Sequence, residues 1–89
     1  GDEGMTVKIF RLGAGMSIAA PDTAGTGGYY VIVMNGSLEV QGQSLTPWSL
    51  VFVDHDDPAP LLQAGHEGLE AMVAVFPVRD EWMQQLGEV

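Results

Sequence analysis

The sequence of 89 residues contains no cysteine, only three lysine and arginine residues, and only two histidines. Without cysteine, the chain can form neither a disulfide bond nor a thiolate metal site. Nucleic-acid affinity comes largely from lysine and arginine side chains that neutralise phosphates. A formal net charge of −9 therefore argues against a nucleic-acid partner, and against an anionic membrane surface for the same reason.

Long apolar runs are also missing. None approaches the ~20 residues that a membrane-spanning helix needs, and nothing like a signal peptide opens the chain. We therefore expect a cytoplasmic protein without a membrane association. Hydrophobic residues make up 46% of the sequence, enough for the core of one domain near the small end of chains that fold alone.

Short β-rich segments alternate with turn signals along most of the chain. The strongest strand is 29–34, and Asn35-Gly36 after it predicts a hairpin, since both residues tolerate a positive φ. The run 48–53 is apolar enough to predict a strand buried on both faces. Residues 13–28 are rich in glycine and alanine and are predicted to be a loop. The predicted strands are 6–12, 29–34, 37–41, 44–46, 48–53, 61–63 and 69–78, a spacing typical of an all-β sandwich or barrel.

Only the C-terminal tail indicates a helix. Asp80 is a good N-cap, Gly87 could end the helical turn, and Trp82, Met83 and Leu86 lie between them. We therefore predict a single domain over 1–89, with the β-structure in 5–78 and a tail or short helix in 79–89.

Asp54-His55-Asp56-Asp57 places four ionisable residues in a row. Neighbouring side chains of a strand point to opposite faces, so the four cannot converge on one ion while the backbone is extended. Asp-Asp-Pro is good turn chemistry, and the favoured interpretation is a polar turn, with a contribution to a metal site as the alternative. His66 and Glu67, flanked by glycines, are also predicted to lie in a surface turn. His66 could join His55 only if the fold brings the two loops together.

Residues 27–77 resemble the conserved-barrel region of the cupin superfamily. The resemblance lies in a strand that ends at Gly36, a hairpin, a second apolar strand, a polar turn and a last strand that ends in Phe-Pro. It implies a small jelly-roll β-barrel of two antiparallel sheets, commonly dimeric. Many cupins hold a divalent metal through two histidines and a glutamate of a first motif and a histidine of a second.

The metal-binding residues of the family are missing from the matching positions. Tyr29 stands at the glutamate of the first motif, and Ala59 stands at the histidine of the second. The two histidines of the first motif fall at Thr23 and Gly25, or at Asp22 and Ala24 with a spacer one residue longer. In the rest of the second motif, Trp48 and Asp56 replace glycines, Asp54 replaces a proline, and Gln63 stands where asparagine is frequent. The resemblance thus predicts a barrel without a metal site or other cofactor, because no set of imidazoles and carboxylates remains to bind a transition metal.

The resemblance points the Tyr29 side chain into the barrel, where its hydroxyl would either orient a small molecule or plug the cavity. It lines the mouth of the barrel with residues 22–29 and the turn at 54–59. The candidate ligand-binding residues are Tyr29, Trp48, Asp54, His55 and Asp56.

Three functions remain open at this point. The first is a metal-free cupin-like module that binds a small molecule or serves as a sensor or assembly domain. We expect it to be a homodimer, with Trp82 and the N-terminal strand as interface elements. The second is an enzyme of the isomerase or oxygenase class, with Tyr29 and a carboxylate or His55 as acid and base, or with an unusual Asp/His metal set. The third is a structural fragment of a two-barrel protein.

Overall fold

The computed structural model describes residues 5–77, which form a single antiparallel sheet of six strands and contain no helix. The all-β prediction is confirmed. The predicted helical turn in 79–89 lies outside the described residues. The strands are β1 (Thr6–Leu12), β2 (Ser17–Ala19), β3 (Tyr29–Val40), β4 (Gln43–Leu45), β5 (Leu50–Val53) and β6 (Leu61–Val75). Within the described range, no helix is long and apolar enough to cross a membrane.

The two longest strands, β3 and β6, form the centre of the sheet. They pair from Tyr29–Val75 at one end to Glu39–Gln63 at the other. The short strands β1 and β2 pair with the outer side of β6, and β5 and β4 pair with the outer side of β3. β2 falls in the segment predicted to be a loop.

The prediction of two sheets is wrong. β3 and β6 pair with each other, and each of the four short strands pairs with one of them, so all six strands belong to one sheet. A closed barrel is not confirmed either. In residues 5–77 the sheet order is β1-β6-β3-β4, and its two edge strands do not pair with each other.

The hairpin predicted at Asn35-Gly36 is wrong. Gly36 has a φ of +76°, but the chain continues along the same partner strand, with register shifts on both sides of this point. A Cβ at Gly36 would lie 2.0 Å from the carbonyl oxygen of Gly68, so the two strands meet here without side chains. Asn35-Gly36 is therefore part of a bulge in β3. The hairpin lies at Gln41-Gly42, where both residues have a positive φ, between β3 and β4.

The bulge changes which residues face the core. In β3 the buried positions are odd-numbered before the bulge and even-numbered after it, and β6 shows the matching change. Extra residues in a strand shift the alternation of side chains by one position, and this keeps apolar residues inside along both halves. The core residues of these two strands are Tyr29, Val31, Val33, Leu38, Val40, Leu62, Ala64, Leu69, Ala71 and Val73.

The opposite side of the sheet, around the N-terminal half of β3, is also apolar. We call it the outer face and define it by two rows of cross-strand neighbours: Val7, Ala74, Tyr30 and Phe52, and Ile9, Met72, Ile32 and Leu50. The side chains of β5 on this face are exposed, Leu50 by 60% and Phe52 by 48%. The prediction that β5 is buried on both faces is therefore wrong, because no described element packs over it.

Candidate functional site

A pocket of about 430 Å³ lies at the end of the outer face, where β5 and β6 end. This volume is within the range of pockets that hold small molecules. The lining residues are Gly27, Tyr30, Phe52, Asp54, His55, Phe76 and Pro77. The pocket thus combines an apolar wall with two ionisable side chains.

Three aromatic rings form the apolar wall. Tyr30 lies between the other two, with its ring centroid 4.9 Å from Phe52 in a tilted arrangement and 5.7 Å from Phe76 in an edge-to-face arrangement. Tyr30 and Phe52 are cross-strand partners of β3 and β5, so the sheet itself brings these two rings together.

Two glycines allow the backbone to approach this wall closely. A Cβ at Gly28 would lie 3.1 Å from Cζ of Phe52, and one at Gly27 would lie 2.1 Å from the carbonyl oxygen of Pro77. The Gly27 amide donates to the Phe76 carbonyl, and the Phe76 amide donates to the Gly28 carbonyl. The glycines therefore hold the end of β6 against the start of β3 and position Phe76.

The polar side of the pocket comes from the turn after β5. The Asp57 amide donates to the Asp54 carbonyl at 3.0 Å, and the Asp54 amide donates to Oδ2 of Asp57 at 3.0 Å. The Thr23 hydroxyl, which is buried, donates to the Asp57 carbonyl and ties the turn to the loop before β3. The prediction of a polar turn at 54–57 is confirmed.

His55 lies between two carboxylates. Its Nδ1 is 2.7 Å from Oδ1 of Asp54, and its Nε2 is 3.2 Å from Oδ1 of Asp56. A neutral imidazole carries one N–H, so both contacts are hydrogen bonds only when the ring is doubly protonated. The side chains of His55 and Asp54 are about half exposed, which leaves both open to a molecule in the pocket.

Of the five predicted ligand-binding residues, the structure brings Asp54 and His55 to the pocket, and Asp56 reaches it only through its contact with His55. Trp48 stands before β5 with its side chain 72% exposed and a φ of +71°, and it does not line the pocket. Tyr29 is fully buried in the core.

The hydroxyl of Tyr29 donates to the Pro21 carbonyl at 2.8 Å, so this polar group is satisfied by the protein's own backbone. Burial raises the pKa of Tyr29, and the nearby carboxylate of Asp22 raises it further. The side chain therefore fills the interior at the position where the resemblance to cupins would place a metal ligand.

The ligand-binding residues predicted from the sequence do not include the aromatic residues of the pocket wall, Tyr30, Phe52 and Phe76, because core packing is the commoner role of such residues and was favoured for them. A signal was available for the first of them, because neighbouring residues of a strand face opposite sides. Once Tyr29 is assigned to the interior, Tyr30 must face outward. Nothing local to the sequence shows that the ring of Phe76 lies beside it.

The second histidine of the sequence, His66, does not line the pocket. His66 lies at the bulge of β6, strongly exposed, with its Nε2 3.9 Å from Oε2 of Glu67. Within residues 5–77, no group of three histidine, aspartate or glutamate side chains is arranged to hold a metal ion.

No protein-family model matches the chain, and no curated protein matches it. Among solved structures, the chain is similar to the EutQ protein of Clostridium difficile, with a TM-score of 0.54 and 7% sequence identity. The match covers 88% of this chain and 56% of the EutQ chain, so this chain spans little more than half the length of that protein. EutQ has a cupin fold. At this identity the likeness concerns the fold alone, and it indicates a cupin-like fold for this chain.

Proposed function

We propose that this chain is a cupin-like module that binds a small molecule in the pocket at the end of the outer face. The observation that carries the proposal is the aromatic wall of Tyr30, Phe52 and Phe76 opposite the Asp54–His55 turn. Small-molecule sites combine apolar walls with a few placed polar groups, and this pocket has both. The ligand is a molecule with an apolar or aromatic ring and a group that donates a hydrogen bond to a carboxylate.

The interior of the fold is a poorer candidate for the binding site. Tyr29, Val31 and Val33 are fully buried there and pack into one core with the neighbouring strands. A ligand in the interior would have to displace these side chains, which costs several kcal/mol per large residue. The pocket on the outer face requires no such displacement.

Titration of the full chain with indole and with benzylamine, followed by ¹H–¹⁵N correlation spectra, tests the proposal. Both probes present a ring, and the ammonium of benzylamine also offers a partner for Asp54. We expect chemical-shift changes at the amides of Gly27, Gly28 and His55. Absence of shifts at these amides with both probes at millimolar concentration would contradict the proposal.

Two variants with matched controls locate the site. Phe52→Ala removes a ring from the wall and is expected to weaken both probes by about tenfold, because the contact area of one ring contributes about 1.5 kcal/mol or more. Leu50→Ala on the same strand and face, outside the pocket, should leave the affinities unchanged. Asp54→Asn should weaken benzylamine and spare indole. Equal losses for Phe52→Ala and Leu50→Ala would place binding elsewhere.

A second candidate is an assembly role, in which the chain pairs with a copy of itself. The feature that favours it is the open sheet, because the outer sides of edge strands carry unpaired backbone donors and acceptors. We therefore keep the homodimer as a proposal that is separate from ligand binding.

A further inference from the structure

The imidazole of His55 contacts the one carboxylate that lines the pocket. Its Nδ1 is 2.7 Å from Oδ1 of Asp54, and its Nε2 is 3.2 Å from Oδ1 of Asp56, which lies outside the lining. When the ring is doubly protonated, it is an organic cation that donates one N–H to each carboxylate. The polar side of the pocket thus has the geometry to hold a cation, and His55 supplies one from the protein itself.

Loss of the second proton changes this arrangement. A neutral imidazole has a single N–H, so it donates to only one of the two carboxylates. The negative charges of Asp54 and Asp56 then lie on either side of a ring without a positive charge. The side chain of Asp54 is about half exposed and lines the pocket, so a cation in the pocket can reach it.

The aromatic wall suits a cation as well as an apolar group. The faces of aromatic rings are negatively polarised and attract ammonium groups within about 6 Å of the ring centroid. The ring of Tyr30 is inclined by 50° to that of Phe52 and by 81° to that of Phe76, so the three ring faces point in different directions. No lysine or arginine is among the described residues that line the pocket, and the whole chain has a net charge of −9. These surroundings favour a positively charged ligand.

We propose that the ligand of the pocket is an organic ammonium ion that competes with the second proton of His55 for Asp54. The inference rests on the proposed function and adds the charge of the ligand and a control by pH. The ammonium donates to Asp54 and lies against the rings, where an imidazolium at His55 would repel it. Binding therefore favours neutral His55, and by linkage the bound cation opposes protonation of His55 to the same extent.

The other titratable groups near His55 are carboxylates and a phenol. Asp56 contacts the ring, Oδ2 of Asp57 accepts the Asp54 amide in the same turn, and Tyr30 lines the pocket from β3. Carboxylic acids ordinarily titrate below about pH 5 and phenols at about pH 10, whereas imidazoles titrate between about pH 5 and 8. A change in ligand affinity between pH 5.5 and pH 8 therefore reports on His55.

Benzylamine and benzyl alcohol test the charge of the ligand. Both present the same ring and a group that donates a hydrogen bond, but only benzylamine is a cation at pH 8. We expect benzylamine to bind at least about tenfold more tightly to the full chain at this pH. Equal or tighter binding of benzyl alcohol would overturn the inference and leave the proposed function intact. Absence of binding by both probes would contradict the proposed function as well.

The pH dependence tests the competition. Between pH 8 and pH 5.5 the affinity for benzylamine should fall by about tenfold, and that for benzyl alcohol by less than about twofold. In long-range ¹H–¹⁵N spectra of the partly protonated protein, benzylamine should shift the ring signals of His55 toward the neutral form. His66 lies beside Glu67 and outside the pocket, so its signals are the control and should not change. An unchanged His55, or equal shifts at both rings, would overturn the inference.

Variants assign the two effects to single residues. His55→Gln keeps a hydrogen-bonding side chain that cannot become charged, so its affinity for benzylamine should not depend on pH over this range. Asp54→Asn should reduce the preference for benzylamine over benzyl alcohol to about threefold or less, the part that the rings contribute. Glu67→Gln makes the same change of charge outside the pocket and should keep the full preference. A pH dependence that survives His55→Gln, or a full preference in Asp54→Asn, would overturn the inference.

Discussion

At the scale of single residues, Tyr29 and Tyr30 show how neighbouring side chains of the same type acquire different roles. Tyr29 is fully buried and donates its hydroxyl to the Pro21 carbonyl, whereas Tyr30 lies on the outer face between two phenylalanines. Alternation along the strand separates them, because successive side chains point to opposite sides of a sheet. Tyr30 therefore lines the pocket on the outer face, whereas Tyr29 does not.

Tyr29→Phe is expected to lower the free energy of unfolding by about 1 kcal/mol, because the Pro21 carbonyl loses its hydrogen-bond partner while the ring remains in the core. Urea denaturation at neutral pH measures the loss. Tyr30→Phe is the matched control and should change the stability by less than about 0.5 kcal/mol, as surface substitutions usually do. A larger loss for Tyr30→Phe would contradict this assignment.

Tyr29→Phe also tests how the stability of the protein changes at alkaline pH. Burial, with a further contribution from Asp22, raises the pKa of Tyr29 above its ordinary value of 10.0, so the folded state holds this proton more tightly than the unfolded state does. The stabilisation that depends on the proton is complete below pH 10 and is lost as the pH rises from there through the raised pKa. Tyr29→Phe should therefore show a smaller loss of stability between neutral and strongly alkaline pH than the unmodified chain. An identical loss in both proteins would contradict the prediction.

Glu70 forms contacts that affect its pKa and, through it, the stability of the protein at acidic pH. Hydrogen bonds from Asn35 and from Arg11 lower the pKa of its carboxyl group, with a further contribution from the charge of Arg11. The stabilisation from these contacts is present above the ordinary pKa of 4.5 and is lost as the pH falls through the lowered value. Asn35→Ala should raise the pKa of Glu70, measured from the carboxyl ¹³C shift as a function of pH. Arg11→Gln should raise it as well, and an unchanged pKa in both variants would exclude these contacts as its cause.

At the scale of elements, the bulge shared by β3 and β6 determines the course of both long strands. Gly36 and Gly68 both have positive φ values, and they lie against each other where the register shifts. Glycine is needed here for two reasons, the conformation of Gly36 and the missing side chain that lets the Gly68 carbonyl approach. A hairpin turn requires only the first of these.

Gly36→Ala and Gly42→Ala test this difference. Both glycines have nearly the same φ, +76° and +79°, but a Cβ at Gly42 meets no atom within 4 Å. Gly42→Ala should cost about 1 kcal/mol from the backbone conformation alone. Gly36→Ala should cost at least twice as much, because it adds a clash with the partner strand. Urea denaturation compares the two, and equal losses would mean that the strands separate easily at the bulge.

Strand positions are predictable from the sequence where one strand runs without interruption. β1 was predicted with its observed bounds, 6–12, because its β-rich run is flanked by clear turn signals. The strands 29–34 and 37–41, and likewise 61–63 and 69–78, were predicted separately but are each one strand in the structure. A glycine with a positive φ is equally compatible with a turn and a bulge, so the local sequence does not distinguish them.

At the scale of the whole molecule, the open edges of the sheet lead to the prediction of a homodimer. In the part of the chain that the structure describes, the outer side of β1 has no strand beside it. Pairing of this edge with a second copy would satisfy its backbone groups. Sedimentation velocity over a wide concentration range should show a dimer that dissociates on dilution.

Hydrogen exchange identifies the edge involved. Amides of β1 should lose protection when the protein is diluted, whereas those of β3, paired on both sides, should keep it. A monomer at every concentration would end the homodimer proposal. It would leave the proposal for the pocket unaffected, since binding there does not require a second copy.

The sequence by itself determined the all-β class, the bounds of β1 and the polar turn at 54–57. These depend on local propensity and on a period of two residues, which a short window contains. Only the tertiary structure decided that Asn35-Gly36 is a bulge, that residues 5–77 leave one side of the sheet apolar and exposed, and that Tyr30, Phe52 and Phe76 meet beside Asp54 and His55. Each of these depends on pairing between β3 and the distant strands β5 and β6, and the register of such pairs is set by the packing of the whole sheet.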